Sequence, residues 1–175
     1  KIIKPQKFVE PTRPVSSKRP VLANTTLTQH LVAIGASTGG TEAILYVLQH
    51  LPAAMPPIVI TQHMPAGFTR TFAERLNRLS RITVKEAEHG ERLLPSYAYV
   101  APGDHHLEII KVGGSYKVKL TQDEKVSGHR PSVDVMFNAL AQCAAPNISA
   151  MILTGMGKDG AEGMVALHQK GVTTF

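Results

Sequence analysis

Gly35-Ala36-Ser37-Thr38-Gly39 fits the pattern G-x-S-x-G, in which small residues around a serine let a strand turn sharply into a helix and leave the hydroxyl exposed beside backbone amides. A serine hydroxyl needs a base to become a useful nucleophile. His63 follows Ser37 by 26 residues, after the apolar run Ile58-Val59-Ile60, where one strand-helix-strand crossover would set its imidazole within reach of the hydroxyl. His30, His50, His89, His105, His106, His129 and His168 read as surface or structural histidines, and none is as well placed at a strand end. A third group, an acid, would hold the imidazole tautomer and stabilise the imidazolium. Asp159 lies in the glycine-rich stretch Thr154-Gly-Met-Gly-Lys-Asp159-Gly after another apolar run. Asp123 falls in a charged turn, and Asp134 in the first turn of a helix, where the helix dipole accounts for it. Asp104 remains open as an alternative from spacing alone.

The same glycines allow a rival chemistry. Gly35, Gly39 and Gly40 ahead of a helix could cradle a phosphate, which would make this a non-catalytic nucleotide-binding module using the Gly35–Gly40 turn. Two features weigh against it: Ser37 stands at the second glycine of G-x-G-x-x-G, and the second strand ends in Thr61-Gln62-His63 where an acid is expected. His105-His106 has no H-E-x-x-H, facial triad or cysteine cluster beside it, so no metal site is expected.

The elements that would carry these residues alternate between strand and helix. Leu31-Val-Ala-Ile34 and Ile58–Ile60 are short continuous apolar runs, while Ile44, Val47, Leu48 and Leu51 recur at helical spacing, as do Phe72, Leu76 and Leu79. Further strands are expected at 82–87, 97–100, 107–112 and 115–120, the last two joined across Gly113-Gly114 as a β-hairpin. A helix around Val133–Leu140, a strand at 148–153, a helix at 161–170 and the start of a strand at 172–175 complete the pattern. Unbroken apolar strands alternating with helices predict an α/β fold: a doubly wound, mostly parallel sheet with helices on both faces, and an antiparallel insertion at about 97–120. Ligands in such folds gather beyond the carboxyl ends of the strands, which is where Ser37, His63 and Asp159 would all stand.

The 175 residues allow one ordinary domain plus a tail, and no run approaches the roughly 18 apolar residues of a membrane span. One cysteine, Cys143, and no secretory signal point to the cytoplasm. The net charge of +6 is localised: residues 1–30 hold six bases and one acid, the remainder 13 bases and 12 acids. The folded part is nearly neutral and lacks Trp, so it offers no stacking platform for nucleic acid. Residues 1–28, with Pro5, Pro11, Pro14 and Pro20, read as a basic linker, and 29–175 as the catalytic domain.

Val32–Gly40, Ile60–Thr69, Tyr99–His106 and Ile152–Met164 together resemble four motifs, in the same order, of the catalytic domain of the bacterial chemotaxis-receptor protein-glutamate methylesterases. The resemblance implies a triad of Ser37, His63 and Asp159, with the Thr38 region and the Met156 amide at the oxyanion site, and no cofactor. It implies demethylation of glutamyl methyl esters on the cytoplasmic helices of methyl-accepting chemotaxis receptors, with glutamine deamidation as a second activity. It also implies control by an N-terminal receiver domain, absent from this chain, and by its histidine kinase. The family usually continues beyond the position of Phe175 through the strand begun at Val172 and a last helix, so a domain truncated at its C-terminus is expected.

Overall fold

Two layers of helix enclose a sheet whose strands follow the expected rhythm. The computed structural model describes residues 25–143 and 147–175; most of the expected linker lies outside the described residues. A short helix α1 (Thr25–Gln29) precedes β1 (Leu31–Ala36), α2 (Gly40–His50), β2 (Ile58–Gln62), α3 (Phe68–Leu79), β3 (Thr83–Glu86) and β4 (Tyr97–Val100). The hairpin β5 (His106–Val112) and β6 (Ser115–Thr121) follows, then α4 (Val133–Cys143), β7 (Ile148–Ile152), α5 (Ala161–Gln169) and β8 (Thr173–Thr174). The six-stranded sheet has the order β3-β4-β2-β1-β7-β8 and is parallel throughout.

The strands read as continuous apolar runs because both their faces are covered. In β1, Leu31 and Ala33 join a core with Met136, Phe137 and Leu140 of α4 and Leu167 of α5. Ile34 and Ala36 point the other way, to Ile44 and Leu48 of α2 and Phe72 and Leu76 of α3. The largest of these side chains, Phe137, Ile34, Ile44, Leu48 and Leu76 among them, are essentially fully buried, and each contributes about 1.5–3 kcal/mol relative to exposure.

One expected boundary needs correction. Residues 97–100 do not belong to an antiparallel insertion: β4 pairs in parallel with both β2 and β3 inside the main sheet. Ala98 and Val100 pack on the α2–α3 side while Tyr99 packs on the other, and this two-sided burial marks an interior strand. The antiparallel element is β5–β6 alone, paired from His106↔Thr121 to Val112↔Ser115. Its two-residue turn holds Gly113 at φ 56° and Gly114 at φ 78°, the left-handed conformations such a tight turn demands. Leu107, Ile109, Tyr116 and Val118 of the hairpin join the α4 side of the core.

The order of the strands creates the crevice. From β1 the chain moves outward through α2 to β2, and later returns on the opposite side of β1 as β7, so the loops leaving these neighbours diverge at their carboxyl ends.

Candidate active site

Ser37, His63 and Asp159 meet in this crevice. Ser37 immediately follows β1, His63 follows β2, and Asp159 lies between β7 and α5. His63 Nδ1 is 3.0 Å from Ser37 Oγ, and His63 Nε2 is 2.6 Å from Asp159 Oδ2. Nε2–H therefore donates to the carboxylate, leaving the Nδ1 lone pair to accept from the serine hydroxyl. This reverses the nitrogens of the familiar serine-protease arrangement but preserves its logic, since either nitrogen can act as base when the other is held. The histidine side chain is 10% exposed and the aspartate 2%.

The backbone fixes these positions through the parallel register. Ser37 N–H donates to Thr154 O at 2.7 Å, and His63 N–H to Ala36 O at 3.1 Å, so all three loops are tied at the strand ends. The turn after Ser37 differs from a strained nucleophile elbow. The left-handed residue is Gly39, at φ 77°, not the serine, and α2 begins at the next residue. Gly155 closes the other wall: a Cβ there would lie 2.7 Å from Ser37 Cβ. Gly155→Ala is expected to displace the serine and lower kcat by 10-fold or more. A crystal structure of the variant, beside its rate, checks this; an unmoved Ser37 with parental kcat would contradict it.

Asp159 is held as an anion by four donors. Besides His63, it accepts from Ser132 Oγ at 2.6 Å, Val133 N–H at 2.7 Å and Asp134 N–H at 3.1 Å. The last two belong to the first turn of α4, so the carboxylate occupies a helix N-terminus, where orphan amides and the helix dipole favour negative charge. Burial alone would push its pKa up, but these hydrogen bonds outweigh it and hold the carboxyl at about 2. Because this lies below the ordinary 3.8, the stabilisation is fully present above about pH 4 and is lost as pH falls toward 2. It amounts to about 2 kcal/mol. The stability difference between the parent and Asp159→Asn, measured by urea unfolding, should therefore shrink from neutral pH toward pH 2. A gap independent of pH would contradict this linkage.

Asp104 does not reach the site's imidazole; it pairs with Arg130 through Nε at 3.0 Å and Nη2 at 2.6 Å. Asp134 receives the Gly163 N–H at 2.8 Å and so ties α4 to α5.

Three further residues surround the site, and the sequence alone assigns none of them a role. Ser132 caps α4, its Oγ accepting the Val135 N–H at 3.3 Å; a serine just before a helix is a readable signal. His129 stacks on His63 with ring centroids 3.6 Å apart and planes 10° from parallel. It is presented by a tight turn in which His129 and Val126 exchange backbone hydrogen bonds and Ser127 and Gly128 are left-handed. Burial, reinforced by the fields of His63 and Lys125 and opposed by Asp159, lowers its pKa. Gln62, the last residue of β2, donates from Nε2 to Ser37 O at 2.9 Å and to His63 O at 3.2 Å.

A small cleft of about 70 Å³ lies over the serine, lined by Ser37, His63, Thr154, Gly155, Met156 and Asp159 among others. Thr38 is exposed beside it, and Met156 is 79% exposed. Among the described residues no backbone carbonyl outside a helix or strand ladder accepts from the Thr38 or Met156 N–H. A larger cleft of about 430 Å³ opens on the far side of His63, with His129, Arg130 and Asp104 in its walls.

The glycine turn does not present an open phosphate cradle. A Cβ at Gly35 would collide with Val133, and one at Gly40 with Gln62 Oε1. Both glycines make room for the protein's own side chains, which disfavours the nucleotide-binding reading.

Comparison with known proteins is consistent with this geometry. The family model described as CheB methylesterase matches residues 32–175. A protein-glutamate methylesterase/protein-glutamine glutaminase 2 of Shewanella sp. MR-7 is 69% identical over 159 residues, covering 91% of this chain and 45% of the relative. The protein-glutamate methylesterase/protein-glutamine glutaminase of Salmonella typhimurium LT2 is 54% identical over 168 residues, covering 92% and 48% respectively. The chain thus spans about half the length of the curated relatives it matches. The crystal structure of the Thermotoga maritima CheB methylesterase catalytic domain superposes with a TM-score of 0.80 at 42% identity, over 83% of this chain and 77% of that one. This agrees with the mostly parallel α/β architecture.

Proposed function

Since the chain belongs to the CheB methylesterase family, we propose that it hydrolyses γ-methyl esters of glutamate side chains in proteins and deamidates glutamine side chains. The observation that carries the reading is the continuous hydrogen-bonded line from Ser37 Oγ through His63 to Asp159. Ser37 Oγ attacks the γ-carbonyl while His63 Nδ1 takes its proton. The protonated imidazole is stabilised by the Asp159 carboxylate and then returns the proton to the departing methanol. The Thr38 and Met156 N–H groups are the donors assigned to the tetrahedral oxyanion, a role typically worth 10²–10³ in kcat for one donor. Water, activated by the same base, releases glutamate from the acyl-enzyme. For a glutamine substrate, ammonia leaves in place of methanol.

The small cleft of about 70 Å³ over Ser37 supports a protein side chain as substrate, because it has room for a single projecting side chain and not for a larger free molecule. We assign as substrates the cytoplasmic helices of methyl-accepting chemotaxis receptors, and residues 29–175 as the catalytic unit. In the whole protein, residues 1–28 would join this unit to a receiver domain phosphorylated by a histidine kinase. No described helix is long and apolar enough to cross a membrane, which fits action in the cytoplasm on receptor segments outside the bilayer. Incubation with a peptide carrying a glutamyl γ-methyl ester should release methanol over many turnovers. Failure to release methanol from such peptides or from methylated receptor would overturn the proposal.

A further inference from the structure

Gln62 makes a costly arrangement at the centre of the site. It is 4% exposed, and its Oε1 is buried with no hydrogen-bond partner among the described residues. An unmet buried acceptor destabilises the fold, and an apolar side chain of similar shape would avoid that cost. The amide orientation is fixed nevertheless: turning it over would put an oxygen against the carbonyl oxygens of Ser37 and His63, which Nε2 now engages at 2.9 and 3.2 Å. The start of α2 is cut down to admit the side chain, since Gly40 is the residue whose Cβ would strike Oε1. Gly40 N–H also donates to Ser37 O, at 2.8 Å.

A peptide unit is planar, and in its trans form the C=O and the following N–H point in opposite directions. Whatever grips the Ser37 carbonyl therefore sets the direction of the Thr38 N–H. We propose that Gln62 is a positioning residue for the oxyanion site: its amide holds the Ser37–Thr38 peptide plane from behind and so aims the Thr38 N–H at the reacting carbonyl. The second bond, to His63 O, ties the same clamp to the backbone of the base. This role rests on the esterase reading given above.

Gln62→Met removes one of the two donors to the Ser37 carbonyl while keeping length and bulk; the remaining Gly40 N–H keeps the turn closed, so the fold should survive, but a single grip leaves the peptide plane free to rock. With a glutamyl γ-methyl ester peptide as substrate, kcat per active site, counted by fluorophosphonate titration, should fall about 10- to 100-fold. KM should stay within about twofold, and affinity for a peptide trifluoromethyl ketone should fall by the same factor as kcat/KM. A merely structural role would reduce the number of titratable sites while leaving kcat per site and ketone affinity unchanged, and that result would overturn the proposal. If Gln62→Met does not fold, the unsubstituted chain can be tested by ¹⁵N NMR. The Thr38 amide proton should move downfield when the ketone binds, and a Gln62 side-chain N–H should resist solvent exchange. An unmoved Thr38 signal or a freely exchanging Gln62 amide would equally overturn it. No methanol release by the unsubstituted chain would overturn the esterase reading itself, and full activity in Ser37→Ala would overturn the serine nucleophile, whereas an inactive Ser37→Ala with an unimpaired Gln62→Met overturns only the role of Gln62.

Discussion

Ser37→Ala should lower kcat for a glutamyl γ-methyl ester by about 10⁴-fold or more, with the thermal midpoint close to that of the parent. The two outcomes separate because the turn is held by its backbone. Ser37 N–H bonds to Thr154 O, Ser37 O accepts from Gly40 and Gln62, and Gly39 supplies the left-handed residue. Among the described residues Oγ has one polar contact, the bond to His63, so its removal should cost the fold little while eliminating the atom proposed to attack. Residual hydrolysis should be supported only by the oxyanion donors and substrate binding. Methanol release at more than a few per cent of the parental rate would transfer the nucleophile's role elsewhere.

His63→Ala should cost a similar factor, about 10⁴ to 10⁶, because without a base the hydroxyl keeps its proton. The variant also tests His129, the second imidazole in the site, whose ring lies 3.6 Å from that of His63. Its lowered pKa leaves it neutral near pH 7, the state a base requires. Yet among the described imidazoles it is His63, not His129, that bonds Ser37 Oγ and Asp159. The pH–rate profile of His63→Ala should therefore show no basic limb attributable to His129. A rate within 100-fold of the parent that disappears in the double variant His63→Ala/His129→Ala would show that His129 acts as a base.

Strand-end logic makes the convergence of Ser37, His63 and Asp159 legible in the sequence. Apolar runs ending at Ser37 and His63 implied a parallel sheet, and parallel sheets concentrate polar chemistry at one end. Asp159 was less secure, because spacing alone left Asp104 in contention; the difference lies in their partners. Asp104 is neutralised by Arg130 on the wall of the larger cleft, whereas Asp159 sits on the α4 amides. No local sequence pattern records which helix N-terminus a distant loop will reach. His129 was hidden for the same reason, since its stacking depends on a turn brought across from another part of the chain. Gln62 stood within a quoted motif, but its role depends on the direction of an amide, which residue type does not encode. The sequence misplaces β4 through proximity: a short run just ahead of a hairpin reads as part of it, although the burial of both its faces marks it as an interior strand.

The central claim, that Ser37 carries the acyl group, is tested most directly by acid-quenching the chain in its first turnover of a glutamyl γ-thioester peptide and locating the adduct by peptide mass. A thiol leaves readily, so deacylation becomes the slow step and the intermediate accumulates. The glutamyl group should be found on the peptide containing Ser37, with one adduct per active chain. A stoichiometric adduct on any other residue would contradict the account.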